Sequence, residues 1–286
     1  MLADTYTHEA TVAYHIKDAI IHNGSVYASN MRYIVSDRAL EHQFHTVQHF
    51  GSASLTSSAA GHTYFGHWLR DDCLKYLLAE QAGAPICIGQ KFSSHQKMYA
   101  SYFGQDWTPT ESAFIDDLVI FQDHAQNSLK KKRYLELQDR LSRLFPDRDR
   151  DKVVFLRRGR AGSPRFIANE GELLECLARE GVEIVDVEDD LPTILSQLKN
   201  AKLVMSIEGS HISHCTYALA SGCALLVLEP PDRFTATHRH WATCTGIHFG
   251  FVVGEPESKG YRFSSKEILQ LSERLLGLGS DSFEPA

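Results

Sequence analysis

The sequence predicts an α/β protein made of two halves joined by a short linker, with a cleft between them. Three observations carry this prediction. From residue 152 onward, short apolar runs alternate with amphipathic segments of helical length, the pattern of a parallel, doubly wound sheet. Strand-like and helix-like segments also occur ahead of residue 145, so the first half is α/β in its own right. Between the halves, residues 145–152 (FPDRDRDK) are charged and proline-marked, as a linker is. The expected domains are residues 1–148 and 149–286, a comfortable length for two domains of ordinary size.

The elements follow in order. Residues 14–21 and 25–35 are β-like, and Asn23-Gly24 between them is a strong hairpin signal. Residues 51–61 (GSASLTSSAAG) are small and polar and read as a flexible loop. In the next segment Phe65, Trp68, Leu69, Cys73, Tyr76 and Leu77 recur at helical spacing, and Gly83 and Pro85 end the helix. Residues 86–88 form a short strand. Ser93 and Ser94 can cap a helix through Tyr102 that ends near Gly104. Residues 118–121 are a strand, and 127–144 are a long, charged amphipathic helix stopped by Pro146. In the second half, strands are expected over 153–156, 182–187, 203–207, 224–228 and 247–253. Helices are expected over 170–180, 192–199, 210–220, 237–243 and 265–275.

Composition bounds the function. Hydrophobic residues make up 43 % and charged residues 23 %, ordinary for a soluble globular chain. A formal net charge of −7 argues against a general nucleic-acid binder but allows a local basic pocket. The six cysteines form no CxxC pair and read as buried, reduced thiols. The start, MLADTYTHEA, lacks the features of a secretory signal, and no stretch approaches the ~20 apolar residues of a membrane span. A cytoplasmic protein without a transmembrane segment is expected. Fifteen histidines are dispersed without an HExxH spacing. His211 and His214 lie three apart at a helix start, but no third or fourth ligand is obvious, so no metal site is expected.

Residues 202–233 carry the most chemistry. The apolar run 203–207 leads at once into Glu208-Gly209-Ser210-His211, and the run 224–228 ends in Glu229-Pro230-Pro231-Asp232-Arg233. Polar groups therefore stand at the carboxyl ends of two parallel strands, where open α/β sheets bind ligands. Gly209 permits a sharp turn, and Ser210 as N-cap leaves backbone N–H groups at a helix start for an anion such as a diphosphate. Glu208 would repel that anion and is better suited to a hydroxyl or an Arg. Glu229 can accept hydrogen bonds from ribose hydroxyls, while Asp232 and Arg233 either serve the ligand or pair with each other on the surface. The strand 153–156 ends in Arg157-Arg158, whose guanidinium groups match phosphate oxygens. Side chains alternate along a strand, so one of the two arginines is expected to face the site. Asn169 and Glu172 read as a structural capping box. In the first half, Tyr64-Phe65-Gly66-His67-Trp68 opens a helix, and His67 and Asp71, four apart, share a face. A carboxylate that orients an imidazole suits a general base, against the alternative of a core histidine beside a surface Asp.

In order and context these features resemble glycosyltransferase family 61, whose bacterial members are often described as capsular polysaccharide biosynthesis proteins. The features are the early hairpin, the YFGHW helix start, the strand ending in Arg157-Arg158, the Asn169-Glu170 helix start, and the EGSH turn with its downstream EPP. The resemblance covers roughly residues 10–255. The family commonly has a His-Gly-Ala-type turn where this chain has Glu208–His211. The resemblance implies a GT-B-like architecture of two Rossmann-like domains with a cleft between them, with residues 1–148 on the acceptor side and residues 149–286 binding a nucleotide sugar. It implies inverting, metal-independent transfer from a nucleoside-diphosphate sugar to the hydroxyl of a glycan or other acceptor, with no cofactor beyond the donor. His67, with Asp71, is then the expected base. Arg157, Arg158, Glu208, Gly209, Ser210, His211, Glu229, Asp232 and Arg233 are expected around the donor. Self-association into a homo-oligomer is allowed. The alternatives are a GT-B-like nucleotide-sugar epimerase and a sugar- or nucleotide-binding module without turnover.

Overall fold

The computed structural model describes residues 8–29, 31–36, 47–89, 91–146, 149–159 and 165–278. Part of the expected linker, residues 147–148, lies outside the described residues. The chain divides into two compact units, Met1–Leu137 and Gln138–Ala286. The division falls within the long helix Ser128–Leu144, ahead of the charged segment at 145–152.

The first unit holds a seven-stranded mixed sheet. Its strands are β1 (Val12–His22), β2 (Ser25–Ala28), β3 (Met31–Ile34), β4 (Gln48–Leu55), β5 (Ala84–Ile88), β6 (Thr108–Thr110) and β7 (Ser112–Gln122). Their order is β3-β2-β1-β7-β4-β5-β6. The strands β7, β4, β5 and β6 run parallel, whereas β1, β2 and β3 join as antiparallel neighbours. The expected hairpin closes through Asn23 and Gly24, both at positive φ (46° and 72°), with His22 opposite Ser25. Gly24 is needed twice over, because a Cβ there would also overlap the Ser36 carbonyl. The single strand expected over 25–35 is instead β2 and β3, with Ser29 turning at φ 42°.

A larger correction concerns residues 51–61. Most of this stretch is not a flexible loop: residues 51–55 complete β4, which pairs in parallel with both β7 and β5. Ladder hydrogen bonds on both sides and the burial of Ala53 and Leu55 override the low strand propensity of Gly, Ser and Ala. Small side chains suit the packing, since a Cβ at Gly83 would lie 2.8 Å from Ser52 Oγ and 3.1 Å from Ala53 Cα. Ser58 then caps the turn Ala59–Thr63 by accepting from the Gly61 N–H. The expected helix at Phe65 is present in three parts: Phe65–His67, a π turn Trp68–Asp72, and Cys73–Ala82. Ser93 and Gln96 form a capping box on Ser94–Phe103, which Gly104 ends in the left-handed conformation (φ 63°).

The second unit is a doubly wound α/β sheet. Its strands are β8 (Lys152–Arg157), β9 (Glu183–Asp186), β10 (Ala201–Ile207), β11 (Ala224–Glu229) and β12 (His248–Val253), with a small hairpin of β13 (Glu255–Glu257) and β14 (Gly260–Arg262). The order is β12-β11-β10-β8-β9, with every pairing parallel. Along β10 and β11 nearly every residue is buried, which explains their continuous apolar runs. Phe155, Leu203, Met205, Leu226 and Leu228 pack with Leu173 and Leu177 of helix Glu170–Arg179 and Ile268 and Leu275 of helix Ser265–Leu278.

Two local expectations are corrected here. The helix expected over 210–220 is a 3₁₀ turn, Ser210–His214, followed by one α turn, Cys215–Ala218, and Gly209 rather than Ser210 holds the cap position. Ile212 and Thr216 are β-branched, and Ser and His side chains that hydrogen-bond locally compete with helical backbone bonds. Asn169 and Glu172 do not form a capping box. Asn169 exchanges hydrogen bonds with the backbone of Phe263 (2.9 and 3.1 Å), and Glu172 faces Arg262 at 3.4 Å. No helix among the described residues is long and apolar enough to cross a membrane.

Candidate functional site

Strand order locates a crevice in the second unit. From β8 the chain goes to β9 on one side, then returns to place β10 on the other. The carboxyl ends of β8 and β10 therefore flank a topological switch point, the place where such sheets bind ligands. Arg158 follows β8 there, and Glu208–His211 follow β10.

The two arginines diverge as strand alternation requires. Arg157 turns away to ion pairs with Glu170 (3.0 Å) and Asp186 (3.5 Å). Arg158 turns inward, where its Nη1 donates to the Glu208 carbonyl (3.5 Å) and faces His211 Nδ1 (3.4 Å). Gly209 makes this approach possible, because a Cβ at that position would overlap the Arg158 guanidinium. His211 Nε2 lies 2.7 Å from Ser206 Oγ. The carboxylate of Glu208 is held at 2.6 Å from Arg165 Nε and 3.8 Å from His238 Nε2. Trp241 donates to His238 Nδ1, so the proton of a neutral His238 ring sits on Nε2, toward Glu208.

Glu229 ends β11 fully buried, and among the described residues neither carboxyl oxygen finds a well-formed hydrogen bond. Burial, and then the neighbouring Glu208 charge, push its carboxyl up to about 7, against the Thr235 N–H and Arg165. Glu208 goes the other way: burial would raise it, but the facing His238, Arg165 and Arg158 hold it below the usual range. Arg158 is lowered by burial and by the charges of Arg165 and Arg233, against the charge of Glu208, so both guanidinium groups act on it. Such a cluster gains from any bound anion. Asp232 accepts from the Tyr261 hydroxyl at 2.7 Å, so it is Tyr261 and not Arg233 that takes its side chain. Ser210 opens the 3₁₀ turn, partly buried.

A second cluster stands in the first unit. His67 Nδ1 lies 2.9 Å from Asp71 Oδ2, as the four-residue spacing predicts. The other oxygen of Asp71 takes Lys130 Nζ at 2.8 Å. Lys130 is fully buried on helix Ser128–Leu144 and also donates to the Asp123 carbonyl at 2.9 Å. Arg133 completes the cluster at 2.6 Å from Asp123 Oδ1. Burial would raise the Asp71 carboxyl, but the Lys130 ammonium, the His67 hydrogen bond and the Arg70 charge hold it well below the usual carboxylate range. An ionised carboxylate only accepts, so His67 Nδ1 carries a proton, and in the neutral ring Nε2 keeps its lone pair. The ring remains 37 % exposed, open to a substrate hydroxyl. The π turn at Trp68–Asp72 sends consecutive carboxylates to different partners, Asp71 to His67 and Lys130, and Asp72 to Lys75 (2.8 Å) and Ser58.

Sequence reasoning missed Arg165, Ser206 and His238 in the second unit, and Lys130, Asp123 and Arg133 in the first. Lys130 did leave a signal. It shares a helical stripe with Tyr134, Leu137 and Leu141, all buried, so a lysine lies in an otherwise core-facing row. Arg165 left none, since it lies in a loop between β8 and the next helix. Among the described residues no group of three or more His, Cys, Asp or Glu is placed to hold a metal ion.

No curated protein matches. Solved structures that are similar include a flavo di-iron protein mutant from Thermotoga maritima, 12 % identical over 58 % of this chain and 42 % of that one, with a TM-score of 0.33. This chain thus spans less than half of that protein's length. They also include E. coli heptosyltransferase WaaC with ADP, 12 % identical over 71 % of this chain and 70 % of that one, with a TM-score of 0.35. The model of the family described as Glycosyltransferase 61 matches residues 65–226, from the helix that carries His67 to the middle of β11. That is more than half of the chain, and the chain belongs to this family.

Proposed function

We propose that this protein is an inverting, metal-independent glycosyltransferase of GT-B-like architecture. It moves a sugar from a nucleoside-diphosphate sugar to an acceptor hydroxyl in polysaccharide or glycoconjugate synthesis. The observation that carries the reading is the inward turn of Arg158 at the switch point of the second sheet, beside the Arg165–Glu208 ion pair. A departing diphosphate develops negative charge, and guanidinium groups fixed beforehand at that place stabilise it. Glu229, buried and without a well-formed hydrogen bond, suits the ribose hydroxyls, which would donate to it and favour its ionised form.

In the first unit, His67 Nε2 suits the general base. The acceptor O–H bond breaks and its proton passes to Nε2. The acceptor oxygen bonds to the anomeric carbon from the face opposite the diphosphate. The bond from that carbon to the diphosphate oxygen breaks, and its electron pair leaves with the diphosphate. Ionised Asp71 stabilises the imidazolium that forms.

The test uses the purified full chain with UDP-, GDP- and TDP-sugars. The expected result is release of the matching nucleoside diphosphate and a raised melting temperature with that nucleotide. Absence of both with every nucleotide sugar overturns the reading.

A further inference from the structure

Four groups in the second unit form one directed chain of hydrogen bonds. Ser206 on β10 is fully buried, and its Oγ lies 2.6 Å from the Leu156 carbonyl of β8 and 3.3 Å from that of Ile207. Both neighbours are acceptors, and a hydroxyl has a single proton, so Ser206 donates to Leu156 and presents a lone pair elsewhere. His211 Nε2 meets that oxygen at 2.7 Å and must therefore carry a proton. A neutral imidazole has one N–H, which leaves Nδ1 bare, 3.4 Å from Arg158 Nη1. A protonated ring would turn Nδ1–H against the guanidinium N–H. Burial first, and then the charges of Arg158, His214, His238 and Arg165, keep the ring neutral.

We propose that Ser206 and His211 form a tautomer lock that positions Arg158 for an anionic ligand, and that His211 is a positioning residue that touches no ligand itself. The lock rests on the diphosphate reading above only for the identity of the anion. Its logic is visible in the contrast between neighbouring arginines. Arg157 is held by two carboxylates, which cancel its charge. Arg158 donates to the Glu208 carbonyl and faces His211 Nδ1, two neutral acceptors that fix the direction of its guanidinium. The nearby Glu208 carboxylate is engaged by Arg165. Gly209 supplies the room between Glu208 and His211 that the guanidinium fills.

Two measurements on the full chain test this. Two-bond ¹H–¹⁵N correlation of histidine-labelled protein reads the His211 tautomer without any ligand. A proton on Nε2 and a bare Nδ1 are expected, with the Ser206→Thr variant keeping that signature and Ser206→Ala losing it. A charged ring or an Nδ1–H tautomer in the wild type overturns the lock. Calorimetric titration with inorganic pyrophosphate and with UDP reads the positioning. His211→Leu should weaken binding about tenfold, the scale of a lost hydrogen bond to a charged group. His211→Asn, whose amide oxygen can replace Nδ1, should stay within about threefold. Equal loss in both variants, with native melting temperatures, overturns positioning. If wild-type protein binds neither probe, the diphosphate reading falls and takes the anion role of Arg158 with it, while the spectrum alone still decides the tautomer lock.

Discussion

The carboxylate of Asp71 is shared between two groups of opposite exposure: Oδ2 takes the solvent-facing His67 ring at 2.9 Å, and Oδ1 takes the fully buried Lys130 ammonium at 2.8 Å. One side chain thus connects the interior of the first unit to its surface. Desolvation of Lys130 is tolerated only because Asp71 and the Asp123 carbonyl both receive its protons.

Replacing Lys130 with Met removes that ammonium and leaves Asp71 without its buried cation. Breaking a buried ion pair from one side costs roughly 3–5 kcal/mol. Chemical denaturation of the Lys130→Met variant should show a loss of this size in the first unit. A loss below about 1 kcal/mol, the scale of a surface pair, would mean that the cluster carries no such weight.

His67→Ala removes the proposed base and leaves the Lys130–Asp71 contact in place. Loss of a general base lowers turnover by on the order of 10²–10⁴-fold. Steady-state rates should show that drop in kcat, with the affinity for the nucleoside diphosphate unchanged. Unchanged kcat removes His67 from the proton transfer.

Glu229 gives a pH signature. Its carboxyl stands at about 7 in the folded protein against an ordinary value of 4.5, so the native state binds this proton more tightly than the unfolded chain does. Stability from this group is fully present below about pH 4.5 and is lost as pH rises through about 7, a difference of roughly 3 kcal/mol. Glu229→Gln abolishes the loss. Hydrogen exchange of β11 amides should therefore show the variant gaining on the wild type between pH 5 and pH 8. A constant gap across that range contradicts the raised carboxyl.

Gly209→Ala separates folding from positioning. The added methyl meets the far end of a long side chain, Arg158, which can swing aside. The methyl also comes within 2.8 Å of His211 Nδ1, so the melting temperature is measured alongside and affinity is compared under conditions where the variant is folded. The variant should lose pyrophosphate affinity by about tenfold, the scale of a displaced charged hydrogen-bond donor. Full retention of affinity would show that Arg158 does not need its present place.

How much of this was legible in the chain follows from the range of the forces involved. Strand positions in the second unit were readable because its parallel strands are buried on both faces and so appear as unbroken apolar runs. The His67–Asp71 pair and the Asn23-Gly24 turn were readable because each is a contact within a few residues. The strand at 51–55 was not, because Gly, Ser and Ala carry no strand signal until β5 and β7 lie beside them. Which of Arg157 and Arg158 faces the crevice was left open by alternation alone; Glu170 and Asp186 on one side, and Gly209 and His211 on the other, decided it. Arg165 and His238 gained their meaning only in three dimensions, since each meets Glu208 across tens of residues of chain. Local patterns set the elements, because backbone hydrogen bonding and side-chain periodicity act over a few residues. The electrostatics of the site were decided by tertiary structure, because burial and charge proximity exist only after the sheet has brought distant strand ends together.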